Sequence, residues 1–484
     1  MKSNKIAESF NLKASECLAA GKYTEALENY NQSLRFAVNK SQMLSDAYAG
    51  RSKIYYEVNQ LENCLKNIKK SLQTCINDEK CRKIESLREK CLDQINLSTS
   101  EKKENVTSEF FKLSHPQHKR VPFIAGCLEV RENDVYGRYI ATTSDLKPGD
   151  IVVIEEPFYK VLDPKRRHTR CAICLKQNML NLFPCVKCSN AMFCSRVCSE
   201  SVVHRYECND SKDDSFDKLL LQRMFYQAIE ITGSLEELQK LMNRQTSSKT
   251  ILDFDFSDPK NSMNDKNRIL ATTSLAEREP WSAEAYAKYE SVTQQLQIET
   301  EDERKFLQNY LVRCLKSMTV NFFHFFWSPT KIEGQGLALC SLAAYFAHSC
   351  DPNVEKIDVD NKFVFITKKP IKAGEQLFMN YDRFSFLTHT LKDRQDYFNK
   401  IYTFQCACNA CKDDYPMLNK LPRIDEKFIE PETKFESIAV AKLQYQKNCD
   451  YISANMDRYP CYEICLLMIQ NYRLLHAIGN KLPF

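Results

Sequence analysis

The sequence predicts an α+β protein, in which short strands are interrupted by a cysteine-rich module and flanked by helices. Three observations predict this class. Both ends of the chain have helical periodicity, short β-branched segments occur near residues 128–154 and 357–381, and a cysteine cluster occupies residues 171–208 between them. Strands that are split by such an insertion are typical of α+β folds and not of a parallel α/β sheet.

The composition is that of a folded chain with several domains. The 484 residues are 43% hydrophobic and 27% charged, and the net charge of +5 is too balanced to predict nucleic acid as the main partner. No apolar run approaches the roughly 20 residues of a membrane span, and the N-terminus lacks an apolar signal segment, so we expect neither membrane association nor secretion. The 22 cysteines predict metal ligation in a reducing compartment, and we expect the protein in the nucleus and cytoplasm.

Residues 1–97 are predicted to form helical hairpins. Apolar residues share one helical face on each side of a turn at Gly21, which predicts a helical hairpin. The same pattern occurs a second time, with Cys64 at the position that corresponds to Ala26, 38 residues later. This pattern resembles the tetratricopeptide repeat (TPR). Two readings remain open for the region, a peptide-binding groove and a helical packing domain without a ligand.

The strands are predicted from short alternating segments between turns. They are Leu128 to Val130, Tyr139 to Ala141, Ile151 to Ile154 and Phe363 to Thr367. After a turn through Pro370 and Gly374, we expect Gln376 to Met379 to pair back on the last of them.

The cysteine cluster has the ligand spacing of two tetrahedral zinc sites. A cross-braced arrangement predicts one site from Cys171, Cys174, Cys194 and Cys198, and a second from Cys185, Cys188, His204 and Cys208. All coordination positions are then filled, so both ions are predicted to be structural. The module resembles the MYND zinc finger, which implies a surface for proline-containing motifs of partner proteins. The alternative is that the zinc ions only stabilise the fold of this module and that it binds no partner protein.

A third zinc site is predicted from two segments that are distant in the chain. Cys406, Cys408 and Cys411 offer three thiolates, and Cys350 is the expected fourth ligand. The remaining cysteines, which include Cys449, Cys461, Cys465 and those of the N-terminal helices, lack ligand spacing, so we expect them to be buried apolar residues.

The ordered motifs Ala347-His348-Ser349-Cys350, Asn380-Tyr381-Asp382 and Tyr402 to Cys411 carry a family resemblance. From about residue 122 onward the chain resembles the SET and MYND domain-containing protein-lysine methyltransferases, and within them the subgroup with N-terminal TPR-like helices. The resemblance implies these domains: a TPR-like domain at 1–97, a linker at 98–121, the N-terminal part of the SET domain at 122–170, the MYND finger at 171–208, a helical insert at 209–320, the SET core at 321–388, a post-SET zinc region at 389–415 and a C-terminal TPR-like helical region at 430–484.

The resemblance also implies a site for S-adenosylmethionine, three structural zinc ions and a protein substrate with a target lysine. Tyr381 and Tyr402 match the tyrosines beside the transferred methyl group and are the implied catalytic residues. The implied cofactor-binding residues are Tyr136, Gly137, Arg138, Asn321, His348, Tyr381 and Phe404. We expect a monomer.

Two positions depart from the family pattern. Ala347 replaces the asparagine of the Asn-His-Ser-Cys motif, and Val135 replaces one glycine of the cofactor loop. Both changes are expected to weaken cofactor binding, which leaves two hypotheses: a methyltransferase with weak cofactor binding, and an inactive adaptor that recruits proteins through its finger and helices. A nucleic-acid-binding zinc protein is less favoured, because only the basic run at 165–168 supports it.

Overall fold

The computed structural model describes residues 1–97, 110–176, 181–208, 215–244, 250–278, 298, 300–325, 336–430 and 437–480. The chain divides into two compact units. The first, the finger unit, comprises Met1–Glu104 and Lys160–Glu230, and the second, the sheet unit, comprises Asn105–Tyr159 and Ile231–Phe484. Parts of the predicted linker, finger, helical insert and C-terminal region lie outside the described residues, and the predicted domain boundaries stay predictions.

The finger unit begins with five helices that pack as successive neighbours. Ser3 and Ser41 cap the first and third of them, since each hydroxyl accepts a backbone N–H of the first helical turn. The second and third helices pack so closely that a Cβ atom on Gly50 would lie 2.1 Å from the Tyr30 ring. The five helices are α1 (Asn4–Ala19), α2 (Tyr23–Phe36), α3 (Gln42–Glu57), α4 (Leu61–Leu72) and α5 (Asp78–Leu97). The predicted helical hairpins are therefore present, while the TPR-like assignment stays a prediction.

The finger itself contains little regular structure, as expected for a module too small to bury its own core. One apolar cluster joins residues of α1 to α5 to finger residues such as Leu182 and Phe193. The elements of the finger and the segment after it are β5 (Phe183–Pro184), β6 (Met192–Phe193), α6 (Arg196–Ser199), α7 (Val202–Glu207) and α8 (Phe216–Thr232), with β5 and β6 antiparallel.

Buried polar side chains of α2 and α3 cap backbone carbonyls of the finger unit. Asn31 Nδ2 donates to His168 O at 2.9 Å, Arg51 Nη1 donates to Leu182 O at 2.8 Å, and Arg35 Nε donates to Ser189 O at 2.9 Å. Arg51 has no exposed surface and also donates to Asn31 Oδ1 at 3.0 Å. Because buried carbonyls need partners, the helices and the finger stabilise each other.

The strands of the sheet unit are short and form several small sheets. Chain order gives β1 (Leu128–Asn133), β2 (Gly137–Thr142), β3 (Ile151–Glu155), β7 (Phe322–Phe325), β8 (Gly336–Leu339), β9 (Ala347–His348), β10 (Val354–Val359), β11 (Lys362–Thr367) and β12 (Phe378–Met379), while β4 (Tyr159–Leu162) begins at the last residue of this unit's first segment. β1 pairs with β2 and β7 with β8, both antiparallel, while β11 lies between β10 and β3 in an antiparallel sheet.

The expected pairing of Gln376 to Met379 on Phe363 to Thr367 is wrong. Both edges of β11 are already occupied by β10 and β3, so no free edge is left for the returning segment. Instead β12 pairs in parallel with β9, which aligns Phe378 with Ala347 and Met379 with His348. Gln376 forms an isolated bridge with Ala141. This pairing fixes the two segments that carry His348 and Tyr381.

Helices surround the sheets of this unit. Thr300 and Thr390 begin two of them with capping boxes closed by Glu303 and Asp393. The helices are α9 (Leu235–Asn243), α10 (Met263–Thr273), α11 (Glu301–Asn321), α12 (Leu391–Tyr402), α13 (Asn409–Lys412), α14 (Ile438–Ala454) and α15 (Tyr462–Asn480). α14 and α15 bury apolar side chains against β10 and β11. Within the described ranges, no helix combines the length and apolarity that crossing a bilayer requires.

Most cysteines without ligand spacing behave as predicted. Cys449, Cys461 and Cys465 are buried. The expectation is wrong for three N-terminal cysteines. Cys17 is only half-buried, and Cys75 and Cys81 form a disulfide that joins the turn after α4 to the first part of α5, with their Cα atoms 6.0 Å apart. Sequence spacing alone did not indicate that this turn brings them together.

Candidate functional site

The structure brings the cysteine and histidine side chains together in three groups. Within each group, the candidate ligand atoms all lie within 4.8 Å of one another. The groups are Cys171, Cys174, Cys194 and Cys198; Cys185, Cys188, His204 and Cys208; and Cys350, Cys406, Cys408 and Cys411. Their composition coincides with the three ligand sets expected from the sequence.

The spacing within the groups suits a tetrahedral zinc ion. With Zn–S bonds of about 2.3 Å, the edge of the tetrahedron is about 3.8 Å. The Sγ atoms of Cys174 and Cys194 lie 3.5 Å apart, and those of Cys194 and Cys198 lie 3.9 Å apart. In the third group, Cys350 Sγ lies 3.8 Å from Cys406 Sγ and 3.5 Å from Cys411 Sγ. Each group could therefore hold one zinc ion, with thiolate and imidazole donors that this metal prefers.

Helix α12 fixes the third group from outside. Gln395 exchanges two hydrogen bonds with the backbone of Cys406, at 2.7 and 3.0 Å. Arg394 is fully buried and donates to Ala410 O at 3.0 Å, with Cys411 Sγ 3.8 Å away. Such outer contacts orient metal ligands and are part of a well-ordered site.

His348 lies between the third group and a cluster of aromatic rings. Its Nε2 is 3.4 Å from Cys350 Sγ, and its Nδ1 accepts the backbone N–H of Tyr381 at 3.3 Å. The ring centroids of Phe398 and Phe404 lie 3.9 and 5.9 Å from the imidazole. Burial lowers the pKa of His348 to about 3, so this histidine is neutral at physiological pH.

Tyr381 and Tyr402 line a cavity in the sheet unit. Their ring centroids are 5.3 Å apart, and the Tyr381 hydroxyl donates to Phe346 O at 3.0 Å. Burial raises the pKa of both phenols, so neither ionises near neutral pH. Aromatic and apolar side chains form much of the remaining wall, among them Phe322, Phe323, Ala343 and Phe346.

Tyr136, Gly137 and Arg138 approach the His348 segment from the turn between β1 and β2. The Tyr136 ring lies 5.4 Å from Phe378, which pairs with Ala347. Arg138 stacks over Tyr345 at 5.3 Å, two residues before Ala347. These contacts bring the first predicted cofactor segment next to the altered motif.

Asn321 and Arg138 both donate hydrogen bonds to the segment 274–278. Asn321 Nδ2 donates to Ala276 O at 2.7 Å, and Arg138 Nη2 donates to Ser274 O at 2.7 Å. Arg278, from the same segment, donates to Ile401 O beside Tyr402 at 3.2 Å. Of the implied cofactor-binding and catalytic residues, only Tyr381 and Tyr402 contribute to the described lining of the cavity.

Glu155 anchors the segment that leads to His348. Its carboxylate is 1% exposed and accepts the backbone N–H groups of Ser341, Leu342 and Ala343 at 2.9 to 3.1 Å. Burial raises the pKa of Glu155, although the three hydrogen bonds and the charge of Arg268 oppose the shift. Ala343 begins the short 3₁₀ helix Ala343–Tyr345 and lines the cavity, so Glu155 fixes part of its wall.

Sequence analysis missed several residues of this site. Asp382 lines the cavity and accepts hydrogen bonds from Tyr397 and Tyr402, at 2.9 and 2.6 Å. Its position directly after Tyr381 was a usable signal. Phe398 lies four residues before Tyr402 on α12, a spacing that places both on one helical face. Glu155 offered no signal, because an acidic residue at a strand end is usually solvated.

Comparisons with known proteins agree with this architecture. The SET domain family matches residues 137–382, half of the chain. A SET and MYND domain-containing protein of Dictyostelium discoideum is 23% identical over 352 residues, which cover 65% of this chain and 89% of that protein.

Two further relatives carry methyltransferase names. A histone-lysine N-methyltransferase of Arabidopsis thaliana is 22% identical over 290 residues, covering 59% of this chain and 55% of the relative. A protein-lysine N-methyltransferase of Danio rerio is 24% identical over 230 residues, covering 43% of this chain and 30% of the relative. The chain thus spans about half or less of these two proteins. The match over half of its length shows that the chain belongs to the SET domain family.

Proposed function

We propose that the protein is an S-adenosylmethionine-dependent protein-lysine N-methyltransferase with weakened cofactor binding. The observation that carries the proposal is the position of Tyr381 and Tyr402 on an aromatic cavity, with Tyr381 bonded through its backbone to His348. The names of the Arabidopsis and Danio relatives support the same reaction class.

The residues of this chain fit the cofactor in type. Gly137 has a φ of +61°, and among the described residues no heavy atom beyond its two chain neighbours lies within 4 Å of the position that a Cβ would take. Its backbone is therefore open to a ligand. Ala347 is half-buried and pairs with Phe378, on which the Tyr136 ring packs, and Phe404 offers an aromatic face beside the His348 imidazole. Together, Tyr136 to Arg138, Asn321, His348 and Phe404 would hold the cofactor.

Bound S-adenosylmethionine would supply an electrophilic methyl group on a sulfonium. The part of the protein is to receive a lysine amine, keep it neutral and align it. A free lysine has a pKa near 10.4, and an apolar aromatic wall lowers that pKa because it disfavours the cation. The Tyr381 hydroxyl donates its proton to Phe346 O, so its lone pairs can accept an amine N–H and orient the nitrogen.

Calorimetric titration of the full chain with S-adenosylmethionine tests the proposal. We expect weak but saturable binding, accompanied by a rise in the unfolding temperature. No heat and no thermal shift at millimolar cofactor would remove the enzymatic function. Metal analysis of the same sample tests the proposed three structural zinc ions per chain.

The second candidate function is an inactive adaptor. Ala347 and Val135 favour it, since the first lacks the amide and the second the glycine that the family pattern uses for the cofactor. The adaptor would bind proline-containing motifs at the finger, independently of Tyr381 and Tyr402. A synthetic proline-rich peptide that binds the wild type and a Tyr381→Phe variant equally, in a protein that does not bind S-adenosylmethionine, would support it.

Two further properties belong to the proposal. We place the protein in the nucleus and cytoplasm, and we expect a monomer. Fractionation of cells that express the tagged chain checks the first, and light scattering after size-exclusion chromatography checks the second.

A further inference from the structure

Asp382 is the only residue with a carboxylate in the described lining of the cavity. It follows Tyr381 directly and faces helix α12, which supplies two phenol groups. Tyr402 Oη donates to Asp382 Oδ2 at 2.6 Å, and Tyr397 Oη donates to the same oxygen at 2.9 Å. These charge-assisted hydrogen bonds hold the carboxylate in place.

The second oxygen of this carboxylate is available to a ligand. Among the residues that the structure describes, none hydrogen-bonds to Asp382 Oδ1, whereas Oδ2 has two donors. Asp382 is half-buried, lines the cavity and has one carboxylate oxygen without a described hydrogen bond. Such a carboxylate can receive a hydrogen-bond donor, and a cationic donor is favoured most.

The cationic and titratable groups nearby leave this charge largely uncompensated. Lys356, from β10, pairs with Asp358 at 2.7 Å and lies 3.9 Å from the Phe363 ring. Burial lowers the pKa of His324, from β7, so its imidazole is neutral. Arg383 stacks on Tyr472 at 5.4 Å. Among the residues with described positions, the remaining titratable groups beside Asp382 are the phenols of Tyr381, Tyr397 and Tyr402.

We propose that Asp382 is a primary-ammonium subsite, which receives the protonated side chain of the substrate lysine when it enters the cavity. The inference rests on the proposed function and adds to it the residue that recognises the charged form of the substrate. A lysine ammonium loses its water in an aromatic cavity, and the Asp382 carboxylate offsets that loss on entry. The ammonium must then release its proton to bulk water before the neutral amine reacts beside Tyr381 and Tyr402.

The same contact sets the direction of the Tyr402 hydroxyl. Because its proton is committed to Asp382, the lone pairs of Tyr402 Oη point away from the carboxylate and can accept an N–H of the substrate. Asp382 is thus a substrate-binding residue through Oδ1 and a positioning residue through Oδ2.

Binding of n-butylammonium, which has the four-carbon chain and charge of a lysine side chain, tests the subsite without knowledge of the protein substrate. We expect the full-length wild type to bind n-butylammonium in calorimetry and to bind butan-1-ol more weakly. Asp382→Asn should lose affinity for the ammonium by about tenfold or more, as expected for a lost hydrogen bond to a charged group.

Matched variants separate the charge from the fold. Asp396→Asn removes an exposed carboxylate on helix α12 and should leave the affinity for n-butylammonium unchanged. Tyr397→Phe keeps the charge of Asp382 and should retain most of the affinity. If Asp382→Asn does not fold, two other measurements test the subsite. The affinity of Asp382→Glu for n-butylammonium should differ from that of the wild type, and wild-type binding should weaken as ionic strength rises, because salt screens an ion pair.

The outcomes for the subsite and for the enzyme are distinguishable. Asp382-dependent binding of n-butylammonium without S-adenosylmethionine binding would keep the subsite and remove the enzymatic function. Equal binding by Asp382→Asn and the wild type, or no preference of the wild type for the ammonium over the alcohol, would overturn the subsite whatever the cofactor titration gives. Asp382→Asn should leave the affinity for S-adenosylmethionine unchanged.

Discussion

The finger unit and the sheet unit use cysteine groups of similar chemistry for different purposes. In the finger unit, the two groups draw all their ligands from residues 171–208, and helices α2 and α3 cap the surrounding carbonyls. In the sheet unit, the third group joins Cys350 to Cys406, Cys408 and Cys411, with His348 in contact. A local group stabilises a module, whereas a group that joins distant segments assembles a site.

Replacing one ligand in each unit should give the largest effects. Cys188→Ser and Cys408→Ser are each expected to lower the zinc content by one ion, because a structural zinc site contributes about 10–16 kcal/mol and depends on all four donors. Only Cys408→Ser should abolish S-adenosylmethionine binding. Metal analysis and calorimetry measure both effects, and equal loss of cofactor binding in the two variants would contradict the difference between the units.

Arg51→Met should destabilise the finger unit and spare the cofactor site. The guanidinium is fully buried and donates to Leu182 O and Asn31 Oδ1, so its loss leaves buried acceptors unpaired, at about 3 kcal/mol. Chemical denaturation measures the change in the free energy of unfolding. Arg88→Met, which removes an exposed pair with Glu85, is the control and should change little. A weaker affinity for S-adenosylmethionine in Arg51→Met would contradict the expectation that the stability of the finger unit does not affect the cofactor site.

Ala347→Asn should strengthen the cofactor site and leave the finger unit unchanged. Restoring one or two hydrogen bonds to a charged ligand corresponds to about 1.5–3 kcal/mol, or roughly one to two decades of affinity. Calorimetric titration with S-adenosylmethionine measures the gain. Ala373→Asn, at an exposed turn, is the matched control. An unchanged affinity in Ala347→Asn would show that the pocket is closed for another reason.

The smallest expected effect is a pH dependence in the finger unit. Burial, with a smaller contribution from the charge of Arg51, lowers the pKa of Lys70 to about 8, beside the rings of Tyr48 and Phe183. The unfolded chain, with a lysine pKa near 10.4, holds more protons between these values, so stability rises with pH across that window. Relative to Lys70→Met, the wild type should gain about 2 kcal/mol from pH 8 to pH 10 in chemical denaturation. A constant difference would mean that the pKa of Lys70 is not lowered.

The sequence predicted the α+β class and the grouping of the candidate zinc ligands. Thiolate spacing can be read from the local sequence. Cys406, Cys408 and Cys411 supply only three of the four donors of a tetrahedral site, and in the structure Cys350 lies beside them as the fourth. Short alternating segments likewise indicated the strands near residues 128–154.

Properties that depend on distant packing could not be predicted. The pairing of β12 with β9 follows from both edges of β11 being occupied, which no local pattern records. The disulfide of Cys75 and Cys81 depends on the geometry of one turn. The carboxylates of Glu155 and Asp382 acquire their environments only when helices and strands close around them.

The three hydrogen bonds that the Glu155 carboxylate accepts from backbone N–H groups make one side of the cavity rigid. Strand β3 and the turn at Ser341–Ala343 are joined by a carboxylate with no water to replace it, so these two pieces must shift together or not at all. Any change in the width of the cavity should then leave this side in place and fall on wall residues that Glu155 does not hold, such as Phe322 of β7.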